Sequence, residues 1–229
     1  MAHLYQKPIE MPRGTHYGSD YWIAYSYKIK RMVHFYSMLE YANFIKLDMN
    51  PAVEYFCEQP LKIEDKDSSS VKKSSVFDFW VQYVDSKNEF QEIKYSSDIT
   101  GSTESAIRAQ KQIDFQRNWC ISNQYNYRVV TEKDLYTGQF EIPNLELLHQ
   151  HLLRYSKISR YSPQNLFELL TKKPLCIEEI QANKILPEKY ELSILAYQYY
   201  LGNIDMTLKE RPLDKYTEVK LCEIKSTIS

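Results

Sequence analysis

Apolar and polar positions along this chain change their period several times, and each change marks an element. Residues 21–48 are apolar and aromatic without Pro or Gly, and Met32, Tyr36, Leu39 and Ile45 fall at helical spacing. A helix is therefore predicted over most of this stretch, ending before Asn50-Pro51. Residues 53–63 read as extended, interrupted by Pro60, and a polar loop with two Ser runs occupies 64–75. A strand is predicted over 76–84, Asp85-Ser86-Lys87-Asn88 supplies turn chemistry, and 90–95 returns as the second strand of a hairpin. Gly101-Ser102-Thr103-Glu104 precedes a helical stretch over 106–123, after which 127–131 is a short apolar strand. This order implies an α/β core.

Residues 137–144 read as a junction, which divides the chain into segments 1–143 and 144–229. Beyond it, Leu145, Leu148 and Leu152 mark a helix over 145–155, and Ser162-Pro163 predicts a second helix through Leu170, with Ser as N-cap and Pro at the first helical position. Residues 176–184 and 187–201 continue as helices, Gly202 ending the latter, and 205–224 turn strand-like around Arg211-Pro212. Short helices followed by a β-ribbon form a winged-helix pattern, so the C-terminal segment is expected to be a mainly helical, winged-helix-like domain.

The chain has 229 residues, enough for one domain and a smaller partner. Twenty Tyr, nine Phe and three Trp against five Gly argue for folded domains rather than flexible tracts. The cysteines, at 57, 120, 176 and 222, lie too far apart for a zinc knuckle or a dense disulfide framework and are expected to be reduced. The N-terminus lacks the apolar core of a signal peptide and nowhere do eighteen apolar residues run together, so a cytoplasmic protein without a membrane span is expected. The formal charge is -1, with 17 basic and 19 acidic residues through Pro143 and 12 and 11 after it. Neither part is a polycation, which argues against a free-standing, avid DNA binder.

Candidate chemistry concentrates in the predicted hairpin. Glu92 and Lys94, two apart on a strand, project to one face, and Asp78 joins them if the register pairs it with an even-numbered residue of the return strand. Carboxylate oxygens suit a hard divalent cation such as Mg²⁺, which assists phosphodiester cleavage, and a lysine beside them can hold the attacking water or neutralise developing charge. Glu40 is available as a fourth group if the long helix lies against the sheet. Glu-x-Lys recurs at Glu64, Glu218 and Glu223, so the tripeptide alone means little. The distinguishing context is Asp78 between Phe77 and Phe79-Trp80, where a charge is costly without a partner. An edge-strand Asp with its head in water fits the same pattern.

Four motifs in order add to this: Ser37-Met38-Leu39-Glu40, Gln59-Pro60, Phe77-Asp78-Phe79 and Glu92-Ile93-Lys94. Together they resemble the TnsA endonucleases of heteromeric transposons, over roughly residues 30–135. Phe77 stands where that family usually has Pro. The resemblance implies an α/β restriction-endonuclease-like nuclease domain with Glu40, Asp78, Glu92 and Lys94 as catalytic residues. It also implies Glu40, Asp78 and Glu92 as ligands of Mg²⁺, for which Mn²⁺ can substitute. It further implies cleavage of the non-transferred strand at transposon ends, in company with the TnsB transposase and with the TnsC ATPase regulator engaged through the C-terminal domain. Two other readings stay open: a stand-alone restriction-like nuclease, and a non-enzymatic winged-helix DNA-binding or scaffold protein. Gln59 is expected to pack or hydrogen-bond near the site, and His34, His149 and His151 to serve in packing or at the surface.

Overall fold

The computed structural model describes residues 3–11, 21–64, 73–155 and 162–222. The chain gathers into two compact units, Met1–Asp48 with Ala52–Leu135, and Met49–Pro51 with Tyr136–Ser229. In the first unit the strands are β1 (Trp22–Tyr25), β2 (Met32–Phe35), β3 (Val53–Glu58), β4 (Lys62–Glu64), β5 (Ser74–Val76), β6 (Phe79–Tyr83), β7 (Asn88–Ile93) and β8 (Asn126–Val130). Its helices are α1 (Met38–Met49), α2 (Ser96–Ile99), α3 (Glu104–Ser122) and α4 (Glu132–Leu135). A central sheet runs β3-β6-β7-β8, antiparallel except for the parallel β7–β8 pair, while β1–β2 and β4–β5 form separate antiparallel pairs.

Strand alternation distributes side chains between the two faces of this sheet. Phe56 and Phe79 join Phe35 and Phe44 on the α1 side, with Phe35 and Phe44 ring centroids 4.7 Å apart. Phe77, Trp80 and Phe90 pack with Cys120 on the α3 side, where Tyr5, Trp119, Tyr125 and Tyr127 close over them. The predicted α/β layering is therefore present, and the aromatic residues supply most of its core.

The stretch 21–48 departs from the single long helix predicted. Its first part is the β1–β2 hairpin, in which Val33 and Phe35 are buried while Met32 is 48% exposed. The intervening turn includes Lys30 at φ 57 and is held by Asp48, whose carboxylate accepts from Ser26 Oγ at 2.5 Å, Tyr27 N at 2.9 Å and Lys28 N at 3.0 Å. A partner from the far end of α1 thus stabilises a turn that local spacing does not reveal. The predicted strand over 76–84 is also broken. β5 ends at Val76 and β6 begins at Phe79, leaving Phe77 and Asp78 between ladders.

The second unit contains α5 (Glu141–Tyr155), α6 (Gln164–Leu170), β9 (Leu175–Cys176), α7 (Ile177–Ala182), α8 (Glu191–Tyr200), β10 (Ile204–Met206) and β11 (Glu218–Leu221). The strands form an antiparallel sheet in the order β10-β11-β9. Leu145, Leu148 and Leu152 are buried as their spacing predicts, with Leu166, Ile180 and Ile194 in the same unit's core. The boundary lies between Leu135 and Tyr136, ahead of Pro143, which occupies the first turn of α5 where a missing backbone donor costs no helical bond. Pro163 is itself the N-cap of α6, at φ -83 and ψ 53, with no side-chain cap, so Ser162 does not have the capping role predicted for it.

Gly138 lies hard against the loop after β10. A Cβ placed there would meet Lys209 Cβ at 2.5 Å, its carbonyl oxygen at 2.7 Å and its Cα at 2.8 Å. Phe140 N donates to the same carbonyl at 3.1 Å. Gly138→Ala should therefore destabilise this unit by about 1–3 kcal/mol, since backbone rather than a flexible side chain must move. Urea unfolding of the two proteins checks this, and an unchanged midpoint would show that the contact yields freely.

Candidate active site

Asp78 owes its position to the break between β5 and β6. The β6–β7 register pairs Phe79 with Gln91, so Asp78 is level with Glu92, the even-with-even pairing that shared direction requires. Asp78 is held from both sides by backbone: its carbonyl accepts from Gln59 N at 2.8 Å, and its Oδ2 accepts from Ile93 N at 2.7 Å. Oδ1 has no hydrogen bond among the described residues, which leaves that oxygen open.

Glu92 lies on β7 and is fully buried. Its Oε1 meets Lys94 Nζ at 2.7 Å and accepts from Gln112 Nε2 at 2.8 Å; its Oε2 accepts from Gln116 Nε2 at 2.7 Å. Lys94 follows the strand, its N–H bonded to Val130 O at 3.1 Å, and its side chain is 26% exposed. Its ammonium therefore joins a buried carboxylate to accessible space.

Glu40 enters from the first turn of α1. Ser37 Oγ accepts from Glu40 N at 3.1 Å and donates to Glu40 Oε1 at 3.2 Å, while Tyr36 N donates to Glu40 Oε2 at 3.1 Å. This is capping-box chemistry, which both starts the helix and fixes the carboxylate. Gln59 completes the frame. It stands at φ 36, in the left-handed region that non-glycine residues seldom adopt, with its carbonyl accepting from Ile9 N at 2.9 Å and its amide donating to Glu40 Oε2 at 3.4 Å. One residue thus connects the backbone of Asp78 to the side chain of Glu40, consistent with the positioning expected for it.

The four groups share one field. Burial pushes the Asp78 carboxyl well above the usual carboxylate range, and Glu92 and Glu40 push it the same way against Lys94 and the Ile93 N–H. Burial also raises Glu40 and Glu92, with Lys94 opposing in both cases. For Lys94 burial acts downward, but Glu92, Asp78 and Glu40 outweigh it and hold the ammonium above its ordinary value. Three carboxyl groups against one ammonium make a pocket short of positive charge, and its oxygen donors are of the kind hard divalent cations select. Among the described residues, no three His, Cys, Asp or Glu side chains stand together at metal-ligand spacing.

The predicted residues Glu40, Asp78, Glu92 and Lys94 are thus brought into mutual electrostatic contact, while the histidines, the cysteines and the cations Lys111 and Arg117 of α3 have separate surroundings. Arg117 pairs with Asp114 at 2.8 Å, and Lys111 is exposed on α3. His34 Nδ1 lies 2.5 Å from Tyr21 Oη, His151 Nδ1 lies 3.4 Å from Ser193 Oγ, and His149 is buried in the second unit. The four cysteines are free. Sequence reasoning missed Gln112 and Gln116, whose available signal was their spacing of four on a helix that must cover the sheet. Nor did it connect the polar loop over 64–75 with the site. Residues 65–72 lie outside those described, but Ser75 Oγ accepts from both glutamines, at 3.2 and 3.0 Å.

No described helix is long and apolar enough to cross a membrane. No curated protein matches the chain. Residues 50–132 match the family model described as the TnsA-like endonuclease N-terminal domain, a stretch that contains Asp78, Glu92 and Lys94, with Glu40 just before it. The mixed sheet between α1 and α3, the clustered carboxylates and this match agree, and residues 50–132 are similar to the TnsA-like endonuclease N-terminal domain.

Proposed function

We propose that this protein is the metal-dependent DNA endonuclease subunit of a heteromeric transposase, cleaving the non-transferred strand at transposon ends during cut-and-paste transposition. The observation that carries the proposal is the cluster inside the matched domain in which Lys94 Nζ meets Glu92 Oε1 at 2.7 Å and Asp78 lies level with Glu92, with Glu40 brought to it by Ser37 and Gln59. A bound Mg²⁺, or Mn²⁺ in its place, supplies charge stabilisation at the phosphate and lowers the pKa of an attacking water. Carboxylate oxygens of the cluster would hold it, beginning with the open Oδ1 of Asp78. Lys94 remains an ammonium in this field, suited to holding a water or a phosphate oxygen that gains charge as the P–O bond breaks.

The second unit is read as a winged-helix-like module that positions DNA and docks partners, by the order of its helices and its three antiparallel strands. A near-neutral chain does not grip DNA through charge alone, which accords with work inside an assembly containing TnsB and the TnsC regulator. Strand-specific cleavage of labelled transposon-end DNA by this chain with its candidate TnsB and TnsC partners tests the proposal. Mg²⁺-dependent cutting confined to the non-transferred strand is expected. Absence of metal-dependent cutting in the complete assembly would defeat it.

A further inference from the structure

Adjacent residues of β7 face opposite ways. Gln91 receives Asn43 Nδ2 of α1 at 3.0 Å, whereas Glu92 is held by Gln112 and Gln116 of α3. Glu40, borne by α1, and Glu92 therefore approach the site from opposite faces of the sheet. Both oxygens of Glu92 are already engaged, and one of them carries the Lys94 ion pair at 2.7 Å.

The orientation of the Gln116 amide is fixed by its surroundings. Tyr127 Oη donates to Gln116 Oε1 at 2.7 Å, and Gln116 Nε2 is 3.2 Å from Val76 O, a carbonyl that only accepts. Gln116 is fully buried, so its N–H groups can be aimed only at Glu92, Ser75 and Val76. The position beside it must therefore offer an acceptor. Gln112 is less enclosed, and its Oε1 makes no hydrogen bond among the described residues.

From this geometry we infer that Gln112 and Gln116 are positioning residues that commit Glu92 to anchoring the Lys94 ammonium, leaving divalent-cation binding to Glu40 and Asp78. The inference rests on the nuclease reading and refines it, since the resemblance counted Glu92 among the metal ligands.

The test is Mn²⁺ binding by calorimetry to the full chain, together with reductive methylation of Lys94 followed by mass spectrometry. Glu92→Gln, Gln112→Leu and Gln116→Leu should bind Mn²⁺ within about threefold of the unmodified protein, less than half of a 1.4 kcal/mol tenfold step. Asp78→Asn should weaken binding by about tenfold or more. The glutamine variants should methylate Lys94 severalfold faster, because its anchor is loosened, at unchanged methylation of Lys87. Gln112→Leu keeps the measurement informative should Gln116→Leu fail to fold. A loss of Mn²⁺ in Glu92→Gln as large as in Asp78→Asn would overturn the metal assignment, and unchanged Lys94 labelling in the folded glutamine variants would overturn the anchor. If the unmodified chain bound no Mn²⁺, the metal assignment would fail together with the nuclease reading, while the labelling would still decide the anchor.

Discussion

Asp78→Asn is expected to reduce Mg²⁺-dependent strand cleavage by about a thousandfold or more, the upper range for losing one preorganised electrostatic group. The same variant should melt at a higher temperature than the unmodified protein in chelator at neutral pH. Asparagine keeps an acceptor for Ile93 N–H but removes a carboxyl that burial, Glu92 and Glu40 drive well above the ordinary carboxylate range. For an acid raised in the folded state, the stabilising balance is full below its unfolded value, about 3.9 for Asp, and is lost as pH rises through the folded value. The stability gained by the variant should therefore be greatest at neutral pH and shrink as pH falls toward the unfolded value. Melting curves across that range check the sign. A variant that cuts at the original rate would remove Asp78 from the site.

Arg31→Met should be the most damaging single change to stability in the first unit. Arg31 forks onto Glu58, Nη1 to Oε1 at 2.5 Å and Nη2 to Oε2 at 2.6 Å, and the Glu58 side chain is fully buried. Removing the arginine leaves a buried carboxylate without its counter-charge, which typically costs about 3–5 kcal/mol. The buried Arg31 Nε has no hydrogen-bond partner among the described residues, so the desolvation of the pair is incompletely offset even when it is intact. Arg31→Met combined with Glu58→Leu should accordingly recover much of the loss. Urea unfolding of the single and double variants measures it, and a single variant within about 1 kcal/mol of the unmodified protein, the usual worth of an exposed pair, would contradict the assignment. Glu58 immediately precedes Gln59, so loss of the pair should also disturb the frame around Asp78 and Glu40.

The parts of the fold legible in the sequence are those governed by short-range periodicity. The turn between β6 and β7, the same-face placement of Glu92 and Lys94, and the leucine stripe of α5 all follow from neighbours within a few residues. The β1–β2 hairpin does not, because Trp22-Ile23-Ala24-Tyr25 and Met32-Val33-His34-Phe35 are apolar enough for either period. Asp48, distant in sequence, decides the matter by capping the turn. The break at Asp78 is equally tertiary: Gln59 N–H takes its carbonyl, and Ile93 N–H takes its carboxylate. Gln112 and Gln116 pass for solvent-facing helix residues until β7 sets Glu92 opposite them.

The parallel pairing of β7 with β8 has a consequence for biosynthesis. The β6–β7 hairpin closes through a short turn, but β8 reaches β7 only after the crossover that contains α3 has been made. That crossover supplies the glutamines around Glu92, and Val130 of β8 receives the Lys94 amide. A growing chain that has emerged only as far as the hairpin holds Asp78, Glu92 and Lys94 in sequence without the frame that aims them. It is expected to be inert toward the DNA of the cell that makes it, with cutting competence arriving only when the last strand of the sheet docks.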